Sequence, residues 1–412
     1  MVETLTVIYL VYSFIAFYSL FLFALIYIQN KKLIFYCPKP DRDYSLSMVI
    51  PCYNGEEGIG GTIQGVVDAG YKNLKKIVVV DDCSTDNSYK IMKEYEKKYP
   101  GLVQVVQTPK NTGKAAGAKN YGAKFVDTEL IGFTDDDSFI EEGSIDKMVG
   151  FFNEEKVGSV TSSVLVHNRN NFIEKLQSIE YKVIKFSRKL LEFIDSIYVT
   201  PGPLGIFRKS AFDKIGGFDE NNLTEDIEIT WHLQAEGYKV KMAVPARSYS
   251  VAPSTISAWV KQRNRWNIGG LQTIGKYKKD WFRKGMLGNF ILPFFVSSWV
   301  IGLFGLGVLV YRFGTGLITN FLSAKYSVEA QTAVLRFSDI NLTPNVLVFL
   351  GIIAFFFSLW FTIVALMNMS EDKNRKRENL FTVGFYMIFY LLAYPIILII
   401  SGYKFLRGQR KW

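Results

Sequence analysis

Leu46 to Asp82 reads LSMVIPCYNGEEGIGGTIQGVVDAGYKNLKKIVVVDD. Two short apolar runs, Leu46–Ile50 and Lys76–Val80, enclose a stretch near Ile59–Ala69 whose apolar residues recur at helical spacing. Short apolar runs bounded by turn residues are buried strands, and a helix-period segment between two of them makes a βαβ unit. The pattern continues downstream. Val103–Val106 and Leu130–Phe133 read as strands, and Ser88–Tyr99, Lys114–Phe125 and Ser144–Phe152 as helices between and after them. Strand–helix alternation with short links predicts an α/β fold with a doubly wound, mostly parallel sheet. In such sheets ligands sit outside the carboxyl ends of the strands, so the polar residues that follow each strand are where chemistry belongs.

Outward from this core the chain turns apolar. Of 412 residues, 49% are hydrophobic, yet a near-ordinary 21% are charged, which points to two populations, one water-facing and one lipid-facing. No charge occurs between Glu3 and Lys31, and Val7–Ile28 is long enough to cross a bilayer. A cleaved signal peptide would need a basic start and a small-residue cleavage site, and neither is present. Lys31 and Lys32 follow the span directly, placing the next domain in the cytosol by the positive-inside bias. Met286–Tyr311, Asn341–Ser370 and Leu380–Tyr403 are further stretches of spanning length. The loop with Lys373, Arg375, Lys376 and Arg377 again reads as cytosolic. The tail carries Lys404, Arg407, Arg410 and Lys411, although three spans would leave it outside. Either the bias fails there, or one apolar stretch is re-entrant or interfacial. The expected division is a transmembrane helix over 1–36, a cytosolic catalytic domain over 44–254, an interfacial segment over 255–285 and a membrane region over 286–412.

Composition excludes some chemistry. Only His167 and His232 occur, against His-rich metal sites and a histidine triad. Cys37, Cys52 and Cys83 are too few and scattered for a disulfide framework, and read as reduced packing thiols. The formal charge of +10 suits an anionic membrane surface, phosphorylated substrates or nucleic acid and by itself separates none of them, although for the chain as a whole no nucleic-acid partner is expected.

Three acidic groups stand where the fold wants chemistry: Asp81-Asp82, Asp135-Asp136-Asp137 and Glu225-Asp226. Helix capping by Ser84, Asp86 or Thr224 explains one polar residue per site, not three acids in a row after an apolar strand. Adjacent buried acids repel unless a cation or donors offset the cost. The pair Asp135 and Asp137 suits a hard divalent ion that keeps part of its water shell and takes phosphate oxygens. Asn111-Thr112-Gly113-Lys114 sets a lysine at a helix start, favourable for phosphate, but lacks the glycine and hydroxyl of a P-loop. Asn170–Ile194, with Phe172, Leu176, Ile179, Val183, Phe186 and Leu190, reads as a long amphipathic helix on the sheet or near the membrane. Further on, Trp259, Trp266 and Ile268 mark a helix at a membrane interface, followed by the basic, aromatic cluster Lys276, Lys278, Lys279, Trp281, Arg283 and Lys284. Gln262 and Arg265, one turn apart, are placed to bind a diphosphate.

Taken in order, Val49–Asn54, Val80–Asp86, Asn111–Lys114, Asp135–Asp137, Gly216–Asp219, Thr224–Asp226 and Gln262-x-x-Arg265-Trp266 resemble glycosyltransferase family 2 in its membrane-bound, polymer-making branch, the synthases of poly-N-acetylglucosamine, hyaluronan, chitin and cellulose. The resemblance implies a GT-A type, Rossmann-like catalytic domain beside transmembrane helices in a multi-pass protein of the cell membrane. It implies that Pro51, Tyr53, Glu56, Asp81, Asp82, Lys114, Asp135, Asp136, Gln262, Arg265 and Trp266 bind a UDP-sugar. Asp135 and Asp137 would hold Mg2+ or Mn2+, and Asp226 would be the general base. Gly202, Pro203, Leu204, Glu225 and Trp266 would border the acceptor. Cys83 departs from the glycine usual after the acidic pair, and Gly55 separates Asn54 from an acid that many relatives carry directly. The implied reaction is an inverting, single-displacement transfer onto a growing β-linked polysaccharide, coupled to its passage across the membrane. The alternative is one sugar added to a lipid, a ceramide or a polyprenyl phosphate. A non-enzymatic nucleotide receptor is disfavoured, because the base and metal acids are all present. Membrane lipids are expected partners, and an accessory membrane subunit stays open.

Overall fold

The computed structural model describes residues 2–329, 346–369 and 379–408. Lys373, Arg375, Lys376, Arg377, Arg410 and Lys411 lie outside them, as do 341–345 and 370 at the two ends of the expected span Asn341–Ser370. After helix α1 (Val2–Asn30), the βα alternation runs β1 (Leu46–Cys52), α2 (Ile59–Asp68), β2 (Leu74–Asp81), α3 (Ser88–Lys98), β3 (Val103–Gln107), α4 (Ala115–Ala123) and β4 (Leu130–Phe133). All of these were legible, within a few residues at their ends. The segment expected as one helix over Ser144–Phe152 is shorter: β5 (Phe139–Ile140) leads to α5 (Asp146–Val149), then a 3-10 turn over Gly150–Asn153. Further on come β6 (Val157–Val166), α6 (Phe172–Glu192), β7 (Gly205–Arg208), α7 (Lys209–Lys214), α8 (Glu225–Ala235), β8 (Lys239–Ser250) and α9 (Ile256–Tyr277).

The strands form one eight-stranded sheet in the order β3-β2-β1-β4-β7-β6-β8-β5. The first four are parallel, β7 runs antiparallel to both β4 and β6, and β5 pairs antiparallel with β8. Register places Cys52 opposite Asp81 and Val49 opposite Phe133, so the carboxyl ends of β1, β2 and β4 open on one edge. The valines and isoleucines of β1 and β2 are wholly buried between two apolar layers. Continuous β-branched runs covered on both faces are what a parallel sheet selects.

Helix α6 carries the sequence's 3.6 periodicity and starts with a capping box, Asn171 accepting from the Glu174 amide while Glu174 accepts in return. It lies on β6 and β8 and, on its other side, under the apolar helices. The helix is therefore packed on the sheet, the first of the two placements its periodicity allowed. A third core gathers Ile26 of α1, Ile34 after it, Phe186 and Leu190 of α6, Ile197 after that helix, and Val240, Met242 and Val244 of β8. Ala365 and Met369, in and just after a later helix, complete it.

That helix is α11 (Val346–Asn368), between α10 (Leu292–Glu329) and α12 (Leu380–Leu406); a π-turn over Leu287–Ile291 precedes α10. Together with α1 these are four helices long and apolar enough to cross a membrane. Tyr12 meets Phe304 and Phe23 meets Phe294, so α10 runs antiparallel to α1. Phe21 meets Phe357 and Asn368 bonds Tyr27, so α11 runs alongside α1 in the same direction. Cys37, Cys52 and Cys83 are free thiols, as composition suggested.

Candidate active site

A cleft of about 440 Å³ opens at the carboxyl ends of β1, β2 and β4, where sheet topology predicts it. Pro51, Tyr53, Asp82, Lys114, all three of Asp135–Asp137, Gly202, Glu225, Asp226, Arg265 and Trp266 line it. Motifs scattered along the chain thus converge, with Arg265 and Trp266 brought in from α9.

The nucleotide side is built from backbone turns. Asp82 accepts from the Thr112 amide (2.9 Å), from Thr112 Oγ1 (2.8 Å) and from Thr108 Oγ1 (2.8 Å), which locks the loop holding Lys114. Asp81 is buried behind it, accepting from the Ser84 amide (3.1 Å) and Gln107 Nε2 (2.7 Å), and does not line the cleft. Cys83 adopts φ 62°, the left-handed region that favours glycine. Glu56 also stays outside the lining. It accepts from the amide and side chain of Asn87 (2.9 Å each) and ties the β1–α2 loop to the start of α3.

The acids form a stack beneath these turns. Burial and the charges of Asp135 and Asp137 push the Asp136 carboxyl up to about 6. Asp137 is raised too, by burial and by Asp135. Asp135 faces Lys119 Nζ at 3.0 Å, and the same ammonium reaches Glu225 Oε1 at 3.0 Å. Lys119 is 2% exposed, a buried cation bridging the Asp-x-Asp group and the Thr224–Asp226 group. Gly202 and Gly55 cap this stack, since a Cβ at either would collide with the carboxyl of Asp135 or Asp136.

Asp226 is the second residue of α8, and its Oδ1 accepts from the Ile227 amide at 2.9 Å. Burial and the neighbouring Glu225 charge raise it to about 6, whereas Lys119 holds Glu225 below its ordinary range against the effect of burial. One carboxyl is therefore a firm anion and its neighbour a group that titrates near neutrality, the arrangement a general base needs. Thr224 occupies the cap position of α8 but makes no side-chain cap bond there.

Other sequence-predicted residues lie apart from the cleft. Pro203 accepts from Thr134 Oγ1 at 2.6 Å, and Leu204 is buried in the core, so this loop is set from behind. Gln262 faces α6, accepting from Gln177 Nε2 (3.3 Å) and Arg263 (2.9 Å). Between Gln262 and Arg265, sequence reasoning passed over Arg263. It is wholly buried, paired with Glu180, and its guanidinium stands 4.0 Å over the Trp266 ring. Arg188 was missed as well: it is buried beside Tyr181 and Tyr198 and within the field of Asp226, and its Nε finds no hydrogen-bond partner among the described residues. Lys119 had a faint signal, the one charge in the small-residue helix α4; Arg188 and Arg263 sat among other basic residues of amphipathic helices and had none.

The donor set suits a divalent ion held by few protein groups. Among the described residues no three acids, histidines or cysteines close around one point. Asp136 and Asp137 nonetheless carry more buried negative charge than Lys119 offsets, and hard cations with incomplete protein shells take phosphate oxygens and water.

Residues 47–216 match the family described as Glycosyl transferase family 2. The poly-beta-1,6-N-acetyl-D-glucosamine synthase of Staphylococcus epidermidis is 28% identical over 374 residues, covering 89% of this chain and 84% of that one. The synthase of the same name from Staphylococcus aureus strain COL is 28% identical over 274 residues, covering 65% of this chain and 64% of that one. Among solved structures, a mannosyltransferase of Pyrobaculum calidifontis with GDP-Man and Mn2+ superposes with a TM-score of 0.59 at 16% identity. It covers 97% of this chain and 99% of that one, and shares its GT-A-like fold.

Proposed function

We propose that this chain, a glycosyltransferase whose residues 47–216 are a family 2 domain, builds a β-linked N-acetylglucosamine polymer from UDP-N-acetylglucosamine. The observation that carries the reading is the acid pair at the start of α8, with Asp226 raised to about 6 inside the cleft that Arg265 and Trp266 close. Asp226 takes the proton of an acceptor hydroxyl as that oxygen attacks the anomeric carbon of the donor, in one inverting displacement. Arg265 and Lys114 stabilise the charge that develops on the departing diphosphate. Asp137, with Asp135, would hold Mg2+ or Mn2+, which supplies further charge neutralisation at the diphosphate. Tyr53 and Asp82 flank the nucleotide, and Trp266 gives a sugar ring a stacking platform. The resemblance to synthases over most of the chain supports a polymer product.

We place the catalytic domain in the cytosol, from Lys31 and Lys32 after α1, within a multi-pass membrane protein. Residues 44–254 would be its catalytic domain and 255–285 its interfacial segment. An accessory membrane subunit is compatible with this arrangement.

The test is product size from purified protein in detergent, given excess UDP-N-acetylglucosamine and no added lipid. A ladder or high-molecular-weight product, resistant to extraction into organic solvent, is expected. A single sugar on an extractable lipid, with nothing longer at any donor concentration, overturns polymer synthesis in favour of lipid glycosylation.

A further inference from the structure

Composition alone makes α12 a spanning helix like α1, α10 and α11, but its neighbours do not. Phe385 stacks edge-on against Phe172, at the first residue of α6. Tyr390 and Tyr394 both donate to the carboxylate of Glu180 on α6, which also holds Arg263 of α9. Trp259 of α9 packs against Phe389, Tyr390 and Tyr394. Ser401 donates to Asn264 at 2.7 Å and accepts from Asn267 at 3.3 Å.

From Phe385 to Ser401, therefore, α12 runs along two helices of the catalytic side, about 24 Å at 1.5 Å per residue. Only five residues remain beyond that stretch at each end, about 7 Å apiece. A bilayer core is about 30 Å thick, so neither end reaches across it. The partners are also of the wrong kind for hydrocarbon. α9 carries Lys261, Gln262, Arg263, Asn264 and Arg265 in succession, a run whose burial in lipid would cost several kcal/mol for each charge (about 3 by insertion scales).

The opposite face of α12 is a single apolar stripe: Phe381, Ile388, Leu392, Ile396, Ile399 and Leu406 are all exposed. Their spacing of three, four and seven keeps them on one side of the helix. On its flank Pro395 packs against Gly302 of α10. Basic residues flank the helix in sequence at both ends, Lys373–Arg377 before it, and Lys404 in its last turn with Arg407, Arg410 and Lys411 after it. Headgroup-seeking charge at both ends fits a helix that enters and leaves one leaflet, not one that crosses two.

We infer that α12 lies in the plane of the leaflet facing the catalytic domain, its apolar stripe in acyl chains, and that only α1, α10 and α11 cross. The basic tail then sits on the same side as the catalytic domain, which removes the conflict raised by its charge. The inference goes beyond the proposed reaction and holds for either product.

Two readouts test it, neither needing activity. In a chain with Cys37, Cys52 and Cys83 replaced by alanine, Lys90→Cys and Gly408→Cys are each probed with a membrane-impermeant maleimide in intact cells and in inverted vesicles. Both positions are expected to react in the same preparation. Should the alanine background fail to insert, an epitope appended after Trp412 of the otherwise unaltered chain is probed with protease in the same two preparations. Cleavage on the side where the catalytic domain is cleaved supports the in-plane helix. Reaction or cleavage on opposite sides, by either route, overturns it.

Discussion

Replacing Lys119 by methionine removes the ammonium that stands 3.0 Å from both Asp135 and Glu225 while keeping most of the side-chain volume. At an effective dielectric constant of about 20, a contact of this length carries roughly 5–6 kcal/mol of attraction before desolvation. Breaking a buried pair costs about 3–5 kcal/mol because a charge is left unpaired. The buried acids relieve this by taking up a proton. One pKa unit corresponds to about 1.4 kcal/mol, so a third of one pair's attraction already moves them by more than one unit. Lys119 lowers both Glu225 and Asp226, and its loss therefore raises the titration of the pair above the present value of about 6 for Asp226. Because the two acids titrate together, the shift belongs to the pair. The assay is the pH dependence of kcat for sugar transfer, with thermal melting in detergent as a check on folding. The acid limb is expected to move up by roughly one to two pH units, with kcat at pH 7 down about tenfold and partial recovery at pH 9. Lys119→Arg, which keeps the charge, is expected to move the limb far less. An unchanged acid limb in a folded Lys119→Met protein, or equal shifts in both variants, would refute the role of this lysine.

Asp226→Asn is expected to lower transfer by about 10²–10⁴ while UDP affinity stays within a few-fold; near-normal turnover would remove the base assignment. Asp137→Ala is expected to weaken UDP binding only when Mg2+ or Mn2+ is present, and calorimetric titration with and without EDTA separates the cases. Asp136 and Asp226 both sit near 6 in the folded chain, against about 4 when unfolded, so the folded state holds their protons more tightly. Their contribution to stability is full below pH 4 and is lost as pH rises through 6. In EDTA the melting temperature should fall over that interval, and Mn2+ at pH 7 should restore it; a flat profile in both conditions argues against the buried acids. Glu180→Gln weakens the hold on Arg263 and hence the seat of Trp266, so product length should shorten more than UDP affinity changes. Equal loss of both would reduce Glu180 to a purely structural residue.

Much of the site was readable because strand ends are readable. A run such as Ile77–Val80 followed by two acids leaves little choice: the run must be buried, so the acids must emerge at the sheet edge. The same logic found Asp135–Asp137. It failed for Lys119, Arg188 and Arg263, whose importance comes from what the fold brings opposite them. A lysine in α4 or an arginine in α6 looks solvated until two layers close over it. Gln262 shows the converse. Its motif and spacing matched the expectation for a diphosphate ligand, but α6 packs against that turn of α9 and takes its side chain. The second half of the sheet was also illegible, because β7 is four residues long and runs against its neighbours, giving no βαβ rhythm to follow.

The core shared by α1, α6, β8 and α11 has a consequence for biosynthesis. Its members come from segments near both ends of the chain, Ile26 and Ile34 early, Ala365 and Met369 late. Translation delivers the whole catalytic sheet well before α11 emerges, so Phe186, Leu190 and Met242 wait without their final cover. A nascent chain halted after residue 254 would present this greasy underside to solvent or to chaperones. Completion of the polypeptide is thus itself a checkpoint on the catalytic half, and a ribosome that stops early yields a domain that cannot be sealed.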